Sequence, residues 1–168
     1  MKMVKVDERM IDLSELFQKQ QMLTDYVWQK HNIKKADLEK EKAAIICELW
    51  ETANELKSDG FKYWTDKKCD RGKTLEEIVD MLHFYLQIGN ILGVVYEHYW
   101  IERRDTILDQ ILAINWSLLM LDGPLTWAVS FAQYRGLVRM LGFDWDQDII
   151  PAYNQKFREN IARQQRGY

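Results

Sequence analysis

The chain has 168 residues, of which 47% are hydrophobic and 29% charged, with a net charge of −3. That make-up suits a soluble globular protein long enough for a sizeable core. It excludes the global basic field that draws a chain to nucleic acid or to a membrane surface. The most apolar stretch, 81–95, is interrupted by His83, Gln87 and Asn90, so it does not read as a membrane span.

With 2 prolines and 8 glycines, few breakers interrupt the sequence, and an all-α fold of about six helices in a single domain over 1–168 is expected. The first helix is predicted over 12–31, where Leu13, Leu16, Phe17, Leu23, Val27 and Trp28 keep helical spacing and glutamines intrude on the stripe. The second spans 37–58, with Asp37 as N-cap. A loop over 59–73 holds the aromatic group Phe61, Tyr63 and Trp64. Thr74-Leu75-Glu76-Glu77 reads as a capping box opening a third helix that runs to 99 and is apolar nearly all round, hence buried on several sides. A fourth helix covers 103–121. Pro124 opens a fifth that ends at Leu141-Gly142, and a sixth covers 149–165 with Pro151 in its first turn.

The region 106–141 carries more large apolar groups than a small bundle needs, Trp116 and Trp127 among them, and an obligate homodimer would bury them. Cys47 and Cys69 stand in no metal spacing and read as idle thiols of a reducing compartment. The N-terminus, MKMVKVDERM, has no apolar signal core; a cytoplasmic protein is expected.

Two acidic pairs carry the chemistry. Glu48 with Glu51, and Glu77 with Asp80, are each spaced i, i+3, which sets both acids of a pair on one helix face. Such pairs are ordinary on solvated helices, and Glu77 alone is explained as the capping-box acid. Asp80 and His83, however, sit among Ile78, Val79, Met81 and Leu82, where an acid is costly unless paired or metal-bound. Antiparallel packing of the second and third helices would bring the pairs to one level. Mg²⁺ suits four such oxygen donors and leaves positions for water and phosphate.

The pattern ExxE followed by ExxD resembles the all-α nucleoside triphosphate pyrophosphatases, a superfamily that includes MazG-like enzymes and the dimeric dUTPases. ELWETANELKSDGFKYW and EEIVDMLHFYL resemble two blocks of the dimeric dUTPase family. The closing YNQKFRENIARQQRGY, with Tyr153, Lys156, Asn160, Arg163, Gln164, Gly167 and Tyr168, resembles its C-terminal motif. Gln20-Gln21-Met22-Leu23-Thr24 resembles its Gln-x-x-Leu-Asn motif, with Thr24 in place of the Asn. The likeness spans 16–168.

The resemblance implies a Mg²⁺-dependent hydrolase that converts dUTP to dUMP and pyrophosphate, with dUDP as a second substrate. Two or three ions act with the substrate, and Mn²⁺ is a substitute. Glu48, Glu51, Glu77 and Asp80 match the metal ligands, with Glu51 also orienting or deprotonating the attacking water. Gln20 or Gln21, with Thr24, would read the base. Trp64 and Phe84 would pack on base or sugar, or else belong to the core, and His83 and Asn90 would serve base or sugar. Lys62 of the 59–73 loop and Lys156, Asn160, Arg163 and Tyr168 are the phosphate candidates, the last four on a C-terminal segment expected to fold over the triphosphate. Two rival readings stand beside this one: a MazG-like pyrophosphatase for another or modified nucleotide, and a non-catalytic helical interaction module.

Overall fold

The computed structural model describes residues 4–167, without the side chains of residues 8, 9 and 99. Its elements in chain order are β1 (Lys5–Asp12), α1 (Ser14–His31), α2 (Leu38–Glu55), α3 (Arg71–Leu92), β2 (Glu97–Arg103), α4 (Ile107–Leu119), α5 (Pro124–Met140) and α6 (Ile150–Gln165). A short 3-10 turn, Lys57–Asp59, follows α2, and a π-turn, Trp145–Ile149, leads into α6. The fold is all-α, as expected, with one small sheet added.

Local chemistry explains the helix ends. The Asp37 side chain accepts from Lys40 N and caps α2, as the sequence suggests. Thr106 caps α4 in the same way through Asp109 N. Pro124 opens α5, where its missing N–H costs nothing.

Helix α3 departs from expectation at both ends. It starts at Arg71, with the Asp70 carboxylate accepting from Lys73 N at 3.1 Å. Thr74 therefore lies inside the helix, and its hydroxyl donates to Asp70 O at 2.8 Å. The helix stops at Leu92 because Gly93 adopts φ +65°, a left-handed cap that costs glycine little. The chain beyond it, expected to be helical to 99, becomes β2.

β2 pairs antiparallel with β1, from Lys5 opposite Arg103 to Asp12 opposite Glu97, with an irregularity between Glu8 and Ile11. The ribbon lies on α5 at a close approach. A Cβ at Gly136 would stand 1.9 Å from Glu102 O, so only glycine fits there. Buried His98 donates from Nε2 to Ala128 O at 3.0 Å and accepts from Arg135 Nη1 at 2.9 Å, pinning the strand to the helix.

α3 is the central element, packed against α1, α2, α5 and α6. Its buried Tyr85 donates to Ser130, and Trp127 Nε1 donates to Tyr85 O at 2.8 Å. Trp127 is thus a core residue at 1% exposure and not part of a surplus surface, whereas Trp116 is 67% exposed. Asp70 N to Glu55 O, Thr52 to Met81 and Glu41 to Gln87 run in opposite senses along α2 and α3, so the two helices are antiparallel.

Candidate active site

The antiparallel pair does bring acids together. Carboxylate oxygens of Glu48, Glu51 and Glu77 all lie within 4.8 Å of one another. Burial, then the charges of Asp80, Glu51 and Glu77, push the Glu48 carboxyl up to about 7. Glu77 is raised as well, first by burial and then by Glu51 and Asp80. Glu51 is exposed and accepts from the Cys47 thiol at 3.2 Å. These are carboxylates held against their own repulsion, a state that a cation relieves.

Asp80 is close enough for its charge to act on Glu48 and Glu77, but it is held in an ion pair. Its Oδ2 is 2.7 Å from Lys156 Nζ, which also pairs with Glu76 at 3.0 Å. Burial raises the Asp80 pKa and outweighs the lowering by Lys156. Lys156 is itself buried by this arrangement, at 8% exposure.

Further along the same face of α3, the helix meets α1 and α6 around a cavity of about 220 Å³. Gln20, Thr24, His83 and Phe84 line it, as do Asn160 and Arg163 of α6. Leu23, Val27 and Trp28 give it an apolar side. Its polar wall is one connected network. Gln20 Oε1 accepts from His83 Nδ1 at 2.8 Å and from Tyr153 at 3.3 Å. Gln20 Nε2 reaches Gln87 Oε1 at 3.3 Å and Thr24 at 3.4 Å. Gln87 Nε2 donates to Glu41 at 2.6 Å. Burial pushes the His83 ring down to about 3, so it is neutral, and it stacks on Tyr153 at 4.3 Å.

Several expected residues fall elsewhere. Gln21 is exposed and bonds Asp25, which leaves Gln20, of these two, in the cavity. Asn90 donates to Phe17 O and braces α1. Trp64 and Lys62 stand on the loop after α2. Trp64 packs edge-on to Phe61 and is 63% exposed, and Lys62 donates to Asn54, one turn beyond Glu51. Tyr168 lies outside the described residues. The C-terminal segment is a docked helix: Lys30 donates to Gln164 O, and Lys19 donates to Asn154 at 2.7 Å. It already forms a wall of the cavity.

Gln87 and Glu41 escape a motif-based reading, although Gln87 lies four residues after His83 in an otherwise apolar helix. That is the helical spacing of a shared face. Glu77, Asp80, His83 and Gln87 thus run along α3 for about 15 Å at 1.5 Å per residue. Acids occupy one end and the hydrogen-bonded cavity the other, with the charges of Lys156 and Arg163 acting on Asp80 between them.

No curated protein matches the chain. The sequence model of a dUTPase family matches residues 12–168, from the end of β1 through all six helices. The chain therefore belongs to the all-α dUTPase family and is a dUTP diphosphatase, a hydrolase of nucleotide metabolism.

Proposed function

We propose that Glu48, Glu51, Glu77 and Asp80 hold Mg²⁺, two or three ions together with dUTP, and that the cavity around Gln20 takes the base. The observation that carries this reading is the cluster of three carboxylates within 4.8 Å, two with raised pKa values, built where Glu48 and Glu51 of α2 meet Glu77 of α3, with the hydrogen-bonded cavity further along α3. All the donors are hard oxygens, the set that Mg²⁺ prefers and Mn²⁺ tolerates. dUTPases generally use a divalent metal.

When bound, the metal neutralises phosphate charge and makes a water molecule more acidic. The remaining chemistry belongs to the chain. Glu51 is exposed, so its carboxylate reaches solvent, where it orients the attacking water and takes its proton. Lys156 is poised between Asp80 and Glu76. A phosphate that draws Lys156 away frees the Asp80 carboxylate to complete the donor set. Arg163 and Asn160 line the cavity, and the charge of Arg163 reaches Asp80, so both donate to the phosphate chain. Lys62, held by Asn54, and Tyr168 complete the phosphate contacts. Phe84 packs on the sugar, and Trp64 closes over the site from the loop. dUDP serves as the second substrate, because the acids and the cavity do not depend on a third phosphate.

The α4–α5 surface exposes Leu112, Trp116, Leu119, Met120 and Leu125. Such a patch supports a homodimer. Trp116→Asp should halve the mass seen by light scattering with the helical circular dichroism unchanged; an unchanged mass would rule out this face. Among the described residues no helix is long and apolar enough to cross a membrane. We place the enzyme in the cytoplasm, with its cysteines free.

The test of the site is Glu51→Gln. It should abolish pyrophosphate release from dUTP while the fold persists, and retained turnover would count against the proposed centre.

A further inference from the structure

The hydrogen-bond network of the cavity has a direction, and one group sets it. Amides, hydroxyls, the phenol and the imidazole can each reverse their roles, by flipping or by changing tautomer. A carboxylate can only accept. Glu41 is the one carboxylate in the network, half-buried in the first turn of α2, and it accepts from Gln87 Nε2 at 2.6 Å.

The rest follows by elimination. With its NH₂ on Glu41, Gln87 must present its carbonyl to the cavity, where it accepts from Gln20 Nε2 and from the Thr24 hydroxyl, each at 3.3 Å. Gln20 is thereby turned with its NH₂ toward Gln87 and Thr24 and its Oε1 toward His83. His83 must then donate from Nδ1, at 2.8 Å. That leaves His83 Nε2 as an acceptor, and this atom is buried in the cavity wall with no hydrogen-bond partner. Burial also keeps the ring neutral. The cavity thus offers a ligand two things. One is the Gln20 amide, whose bonds to Gln87 and Thr24 are long enough to exchange. The other is an orphaned acceptor on His83.

We infer that Glu41, acting through Gln87, is the positioning residue that polarises this wall to select a base presenting a carbonyl beside an N–H. Uracil has that edge, while cytosine, with a ring acceptor beside an amino group, presents the reverse. Mismatched pairs there would leave buried donors facing donors, which is where hydrogen-bonding sites discriminate most strongly. Thr24 fits the scheme because its hydroxyl adapts to whichever polarity Gln87 imposes. The inference rests on the proposal that this cavity takes the base.

The experiment compares kcat and KM for dUTP and dCTP in four proteins. The wild type should prefer dUTP. Glu41→Gln keeps the size of the side chain but lets Gln87 reverse, so the preference for dUTP over dCTP in kcat/KM should fall by about tenfold or more. The double variant E41Q/Q87E restores an acceptor facing Gln20 and should recover the preference, which a merely structural role for Glu41 would not do. Gln20→Leu is the control for the cavity. If Gln20→Leu loses the preference while Glu41→Gln keeps it, the inference is overturned and the base cavity stands. If Gln20→Leu changes neither KM nor preference, the base cavity falls and the inference with it. A wild type indifferent to dUTP and dCTP also overturns it.

Discussion

The two ends of the α3 face solve opposite problems. At the acid end, Glu48, Glu51 and Glu77 crowd like charges, and Glu48 is pushed up to about 7. At the cavity end, Gln20, Thr24, Gln87 and Tyr153 satisfy one another, and His83 Nε2 is left buried without a partner. The first is a region whose negative charge exceeds what Lys156 offsets. The second is a region whose hydrogen bonds are already arranged, anchored on the Glu41 carboxylate. A nucleotide with its cations supplies both wants at once, since phosphate and metal go to the acid end and the base goes to the cavity. The contrast shows how α3 joins two kinds of recognition without mixing them, sharing the acids with α2 and the cavity with α1 and α6, with an ion pair, Asp80–Lys156, between them.

The comparison can be broken at either end. The largest effect is expected from Glu51→Gln at the acid end, a fall in kcat of about a thousandfold or more with little change in the melting temperature. At the cavity end, Gln20→Leu should act mainly on binding and raise KM for dUTP by about tenfold to a hundredfold. Gln21→Ala, which removes only an exposed bond to Asp25, should leave KM within about twofold. Equal effects of these two variants would erase the distinction between cavity and surface.

A smaller effect sharpens the electrostatic half. Glu48 holds its proton more tightly in the folded chain, at about 7, than at its ordinary 4.5. The folded state therefore binds more protons than the unfolded one between those values, and its contribution to stability falls as pH rises through that window. In metal-free protein, Glu48→Gln should raise the melting temperature at pH 7.5, with the gain closing toward pH 4.5. A gain that does not vary with pH would mean that Glu48 is not strained by its neighbours.

Much of this was legible in the residues. The i, i+3 acids and the all-round apolar character of α3 depend only on helical geometry, and both hold in the structure. The β1–β2 ribbon was hidden because its strands, KVDERMID and EHYWIER, are short and charged, and because the apolar run before β2 reads as continuous helix. Gly93 was the one local sign of the stop. The capping box failed because Asp70, three residues upstream of Lys73, competes better for the helix start. The partner of Asp80 was not legible, since Lys156 lies 76 positions away and meets it only when α6 packs on α3. Gln87 carried a signal in its spacing from His83, but its bond to Glu41 depends on the register of α2 against α3, which no local pattern specifies.

The most direct test of the central claim is pyrophosphate release from dUTP by the wild-type chain, measured in Mg²⁺ and again after chelation with EDTA. Turnover in Mg²⁺, its loss in EDTA and its recovery when Mg²⁺ or Mn²⁺ is restored are the expected results. Undiminished turnover in EDTA would contradict the claim.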